Sequence, residues 1–164
     1  MATPLWIKKM LMKRGVPYEE YTHPETFTAQ KLAQVEHISG HRVAKVVIAM
    51  ADGLPVELIL PASRRVCLEK LRKVLGVWDV RLASETEMED FFPGCEVGAV
   101  PPLDHWPGVP VVMDASMRVG GTILFHAGTH RDAILVGFAN WFDAVQPRVA
   151  DFTDPLARPV PAQV

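Results

Sequence analysis

Cysteine is scarce: Cys67 and Cys95 are the only two in 164 residues, far apart in the chain. That excludes a disulfide framework and a cysteine zinc signature, and both are read as reduced thiols in buried structural roles. Long apolar runs are missing as well. None approaches the roughly 18 residues needed to span a bilayer, and the start Met1-Ala2-Thr3-Pro4-Leu5-Trp6 has no signal-peptide pattern. A cytoplasmic protein with no membrane partner is expected. Charge of either sign is lacking in excess: the net charge is −2 and the pI about 6.3. The whole-molecule field therefore does not draw nucleic acid as a basic domain does, and any RNA contact has to be local. Arg64, Arg65, Lys70, Arg72 and Lys73 form the one basic concentration, read as a solvated helix face.

The common catalytic signatures are absent too. There is no G-x-G-x-x-G after a strand, no P-loop, no H-E-x-x-H and no G-x-S-x-G, which removes the usual routes to dinucleotide, nucleotide triphosphate, zinc and serine-hydrolase chemistry. The six histidines, His23, His37, His41, His105, His126 and His130, stand in no recognised ligand spacing. No metal and no cofactor are expected.

What is present is the material of one core. Hydrophobic residues make up 49% of the chain against 22% charged, and the mean hydropathy is +0.12, which argues against disorder. The length fits a single domain, read as residues 1–150, with a Pro-rich tail over 151–164. Near-helical apolar spacing predicts a helix over 5–13, and Gly15 stops it. A short edge strand is expected over 16–21 and a second helix over 28–35. The runs 43–50 and 56–60, parted by Asp52-Gly53, predict a central hairpin. The stretch 64–75 reads as the main helix, ended by Gly76. A strand is expected over 80–83, and Ser84-Glu85-Thr86-Glu87 is a capping-box pattern that starts a helix toward Phe92. Strand candidates come next at 109–114, 121–128 and 133–137, with a last helical turn or two over 140–145.

This order mixes hairpins with helices and lacks strict βαβ alternation. It predicts an α+β domain with a mixed, mostly antiparallel, curved sheet and flanking helices, rather than a doubly wound α/β fold. Between helix and strand, Cys95 to Leu103 joins a glycine able to approach other backbone with two prolines that stiffen the chain after it, so a rigid loop is expected.

The segments Thr22-His23-Pro24-Glu25-Thr26-Phe27-Thr28-Ala29-Gln30, Ala44-Lys45-Val46-Val47 and Leu60-Pro61-Ala62-Ser63-Arg64-Arg65 occur in that order. Leu82-Ala83-Ser84-Glu85, Phe92-Pro93-Gly94-Cys95-Glu96-Val97-Gly98-Ala99-Val100-Pro101-Pro102-Leu103 and Phe125-His126-Ala127-Gly128-Thr129-His130-Arg131 continue the series. Together they resemble the YbaK and prolyl-tRNA-synthetase-associated editing family over about residues 15 to 140. The resemblance implies a freestanding aminoacyl-tRNA deacylase, with the acceptor end of aminoacyl-tRNA as its partner and an aminoacyl-tRNA synthetase as a further one. The family's strand lysine maps to Lys45, its G-x-x-x-P loop to Gly98, Ala99, Val100 and Pro102, and a position near the pocket to His130.

Ester hydrolysis needs a water placed against a carbonyl whose oxygen gains charge. Free loop amides beside Gly98 supply that stabilisation without a side-chain nucleophile. Lys45, inside an apolar run, is cast as substrate-binding and electrostatic. His130, Thr26, Ser63 and Val46 are the expected substrate contacts, and pocket size is the expected source of selectivity among alanyl, cysteinyl, seryl and threonyl esters. Pro101 departs from the family pattern and removes one amide. The competing reading is a noncatalytic tRNA- or protein-binding module on the same scaffold.

Overall fold

A β-branched run, a two-residue Asp-Gly turn and a second apolar run are the makings of a hairpin, because both turn residues tolerate positive φ. In the computed structural model, which describes residues 3–156, Asp52 and Gly53 have φ of 47° and 81° and join the two strands in that way. The elements in chain order are α1 (Leu5–Lys13), β1 (Tyr18–Thr22), α2 (Ala29–Val35), β2 (Ala44–Ala51), β3 (Leu54–Pro61), β4 (Arg64–Val66), α3 (Leu68–Leu75), β5 (Val80–Leu82), α4 (Glu85–Phe91), β6 (Val111–Asp114), β7 (Thr122–His126), β8 (Asp132–Gly137), α5 (Phe138–Val145), β9 (Arg148–Ala150) and β10 (Thr153–Pro155). None of these helices is long and apolar enough to cross a membrane.

The strands are mostly antiparallel, as expected for this α+β class, but they form three hydrogen-bonded groups instead of one sheet. The five-stranded group runs β5-β2-β3-β6-β9, with β3 to β6 and β6 to β9 parallel, and the hairpin lies near its centre. The three-stranded group runs β1-β8-β7, with β1 at its edge. A single parallel bridge, Val43 to Leu124, joins the two groups. Strand alternation then sends Ala44 and Ile59 into one core with Ile7, Leu11, Phe125 and Trp141. Ala49, Leu58 and Leu60 face Leu71 of α3, and α2 covers Val43, Ala62 and Leu124.

Two expectations fail at the C-terminal side, and for one reason. The stretch 64–75 is not a single helix: Arg64–Val66 is strand β4, and α3 begins only at Leu68. The strand exists because β10 pairs with it, and Nε of Arg64 donates to Oγ1 of Thr153 at 2.6 Å. The tail begins later than expected for the same reason. Phe152 and Thr153 are wholly buried, and Asp114 accepts from the Phe152 amide at 2.9 Å. Residues 157–164 of the expected tail lie outside the described residues. The capping box holds: Ser84 and Glu87 bond reciprocally at the start of α4. Both cysteines are half-buried free thiols, and burial pushes Cys95 up to about 11.

Candidate active site

The loop after α4 owes its shape to fixed points at each end. The amide of Glu96 donates to the Gly128 carbonyl and the amide of Gly128 to the Ala99 carbonyl, both at 2.8 Å, which ties the loop to the turn between β7 and β8. Between them the Ala99 amide closes a turn on Glu96 at 3.0 Å, and Gly98 sits at φ +86°, a conformation that favours glycine. Farther on, the buried Trp141 of α5 donates its indole N–H to the Pro102 carbonyl at 2.7 Å. Val100 packs on Ile48 and Phe92. Pro101 and Pro102 are buried and lack amide hydrogens. Among the described residues the amides of Val97, Gly98 and Val100 have no hydrogen-bond partner, whereas that of Ala99 is engaged.

His130 packs against this loop. Its Nε2–H donates to the Val97 carbonyl at 2.7 Å, and a Cβ on Gly98 would stand 3.5 Å from that same nitrogen. Thr26 reaches the cluster from the segment before α2: its amide bonds to the His130 carbonyl at 2.9 Å, and its hydroxyl lies 3.3 Å from that oxygen and 3.0 Å from Nε2 of His126. A hydroxyl has one proton to give, so Thr26 donates to the carbonyl and His126 donates from Nε2. Burial, with His130 and His23 nearby, pushes His126 down to about 4, which keeps it neutral near pH 7. The His23 ring stands 6.1 Å from that of His126, and the His126 ring 5.8 Å from that of His130.

Lys45 approaches from the five-stranded group. An isolated parallel bridge joins Val43 and Leu124, and alternation turns Lys45 and His126, each two residues farther along its strand, toward the side covered by α2. Lys45 is half-buried, burial lowers its pKa, and it has no ion-pair partner among the described residues. The structure thus brings together Thr26, His130 and the loop from Gly98, while Lys45 lies on β2, on the side that α2 covers. Val46 is turned by alternation to the opposite side of β2, into the cores around Phe125 and Phe92, the second of which also holds Val100 of the loop. Ser63 is elsewhere: its hydroxyl bonds Nδ1 of His41 at 2.7 Å, in a separate cleft of 260 Å³ beside Gln30 and Gln34.

Sequence reasoning did not select His23, His126, Glu25 or Glu96 for the site. Three of them lie in the stretches Thr22-His23-Pro24-Glu25 and Phe125-His126, and the spacing of His126 and His130 across one turn was an available signal. Glu25, Glu96 and His130 offer ligand atoms within 4.8 Å of one another, so these are the described residues able to hold a metal ion. A 360 Å³ cleft lined by Cys95, Glu96, Gly128 and Thr129 opens beside them. A 410 Å³ cleft at the other end of β2, around Ala51 and Val56, is apolar. Its one charged side chain, Arg148, donates to the Val74 carbonyl at 2.9 Å. It offers no group for ester chemistry.

The chain has relatives among known proteins. The family profile described as "Aminoacyl-tRNA editing domain" matches residues 23–143. The "Multifunctional Ser/Thr-tRNA deacylase ProXp-y" of Escherichia coli K12 is 24% identical over 148 residues, covering 87% of this chain and 88% of its own length. A "Proline--tRNA ligase" of Xanthomonas axonopodis pv. citri is 32% identical over 129 residues, which is 75% of this chain but 21% of the ligase. Among solved structures, one described as a candidate trans-editing enzyme for prolyl-tRNA synthetase superposes with a TM-score of 0.78 at 20% identity, over 90% of this chain and 94% of that one. A hypothetical protein superposes at 0.82, also at 20% identity, over 90% of this chain and 99% of that one. At that identity the two structures support the fold.

Proposed function

We propose, from the premise that the chain belongs to the aminoacyl-tRNA editing domain family, that Lys45 and the loop from Gly98 carry the hydrolysis of small aminoacyl esters, seryl and threonyl first among them. The chain is an aminoacyl-tRNA deacylase, a hydrolase acting on a carboxylic ester, and its substrate is an aminoacylated tRNA. The deacylase relative is matched over 88% of its length and the ligase over 21%, which supports a freestanding enzyme that meets mischarged tRNA in trans. A synthetase is then the source of its substrate, and the cytoplasm its place of action.

What supports the assignment of residues is a half-buried lysine with no ionic partner among the described residues, and a clamped loop whose Gly98 and Val100 amides are unpaired. The ester carbonyl lies against the Gly98 and Val100 amides, which hold the oxygen as it gains charge. Ala99 and Pro102 act by fixing the loop's shape, through the Gly128 and Trp141 bonds. Water attacks the carbonyl carbon, the bond to the ribose oxygen breaks, and that oxygen leaves with a proton. The Lys45 ammonium, desolvated in the free protein, pairs with the terminal phosphate. Thr26 and His130 shape the pocket that receives the amino acid, and side-chain size is what selects among the esters.

The test is ester loss from seryl-, threonyl-, alanyl- and cysteinyl-tRNA with wild type and Lys45→Ala. Hydrolysis of the seryl or threonyl ester that is lost in the variant is expected. A folded wild-type protein that leaves every ester intact would remove the proposal.

A further inference from the structure

Nδ1 of His130 is buried and has no hydrogen-bond partner among the described residues, in a residue that is 7% exposed. The opposite nitrogen donates to the Val97 carbonyl, so the ring in its neutral form presents a lone pair at Nδ1. Oε2 of Glu96 stands 2.8 Å from Nδ1 but off the line of a hydrogen bond. The Glu25 carboxylate completes a group of three acceptors within 4.8 Å of one another. Electron-rich atoms gathered this closely repel one another until a positive group with N–H donors enters among them.

An ammonium group has three N–H donors directed tetrahedrally. With hydrogen bonds of about 2.8 Å its three acceptors stand about 4.6 Å apart, inside the 4.8 Å limit of this group, whose close pair, Nδ1 and Oε2 of Glu96 at 2.8 Å, parts as the amine enters. The position suits the reaction as well. In an aminoacyl ester the α-amine is separated from the carbonyl carbon by the α-carbon alone, so its subsite has to flank the amides that hold the carbonyl. His130 does flank them, with Nε2 3.5 Å from the Cβ position of Gly98. We infer that Glu25, Glu96 and Nδ1 of His130 form the subsite for the α-ammonium group of the aminoacyl ester. The subsite rests on the deacylase reading. It makes a free α-amine part of what is recognised, beside the size of the side chain.

The experiment compares seryl-tRNA with N-acetylseryl-tRNA, which lacks the charge, in wild type, Glu25→Gln and Glu96→Gln. The expected result is that wild type prefers the free amine, and that the ratio of the two kcat/KM values falls about tenfold or more in each variant, as for the loss of a charge-assisted hydrogen bond. A side chain that merely supports the fold lowers both rates and leaves the ratio alone. Equal rates on the two esters in wild type, or an unchanged ratio in both variants, overturn the subsite while the deacylase reading stands. Should neither ester be hydrolysed, the deacylase reading falls. Binding of 3′-seryl-amino-3′-deoxyadenosine and its N-acetyl form then decides the subsite by the same ratio, taken in Kd. Loss of activity on chelation with EDTA and its return with Zn²⁺ overturn the ammonium subsite in favour of a metal at the same three residues.

Discussion

Gly98→Ala separates backbone strain from catalysis at one position. A Cβ there meets Nε2 of His130 at 3.5 Å and the Phe27 carbonyl at 3.7 Å, both ordinary contacts, so the substitution brings no steric clash. The strain comes from φ of +86°, which costs a residue with a Cβ about 1–2 kcal/mol. For a chain of this length that lowers Tm by about 2–8 °C if the loop keeps its shape. The loop relieves the strain by moving to negative φ, and that turns the Gly98 amide away from the ester oxygen. Loss of one oxyanion donor lowers kcat about 10²–10³-fold. Gly76→Ala is the matched control, since φ there is +66°, nothing lies within 4 Å of its Cβ position, and it caps α3 away from the site. The assay is single-turnover deacylation of seryl-tRNA alongside thermal unfolding of both variants. The expected outcome is a similar fall in Tm for both and a fall in kcat for Gly98→Ala alone. Equal kcat values in the two variants would refute a catalytic role for the loop's backbone.

Lys45→Met relieves a desolvated charge that lacks a partner, so Tm rises while kcat/KM falls about tenfold or more; a variant that is neither more stable nor less active contradicts the placement of Lys45. Glu57 is buried in the central strand with Oε1 unpartnered, and burial, helped by Asp104, holds its pKa well above 4.5. Its contribution to stability is therefore present in full below pH 4.5 and is lost as pH rises through the folded value, so Glu57→Gln raises Tm at pH 8 and much less at pH 4.5; equal shifts at both would show that Glu57 does not titrate in the fold. Phe152→Ala empties a wholly buried site and costs about 3–5 kcal/mol by urea unfolding, whereas a residue in a loose tail would cost almost nothing. Trp141→Phe removes the bond to the Pro102 carbonyl, and expectation puts the loss at about 1–3 kcal/mol with kcat falling alongside; unchanged kcat would mean that the loop holds its shape without this anchor.

How much was legible in advance depends on the range over which each signal acts. The Asp52-Gly53 turn, the capping box at Ser84 and Glu87, and the helix over 5–13 depend on neighbours within a few residues, and they form where the residue pattern put them. The loop from Gly98 is anchored by bonds to Gly128 and Trp141, partners that its glycine and prolines do not reveal. The stretch 64–75 carried an equally clear helical pattern, but Arg64–Val66 became a strand because Thr153–Pro155 arrives beside it. The gain from that pairing, with Phe152 and Asp114 attached, outweighs a local propensity worth a few tenths of a kcal/mol per residue.

The sequence by itself determined the types of the locally specified elements, the mixed class of the fold, and which residues of chemical interest the chain contains. The tertiary structure decided which of them meet. Thr26 stands 100 positions before His126, and His130 bonds a carbonyl 33 positions before it. Lys45 and Val46 are neighbours in sequence with opposite fates, because strand alternation turns the first toward the side that α2 covers and the second into the core. No local pattern specifies such encounters. They arise from the order in which strands dock and from the side of the sheet that each residue is then obliged to face.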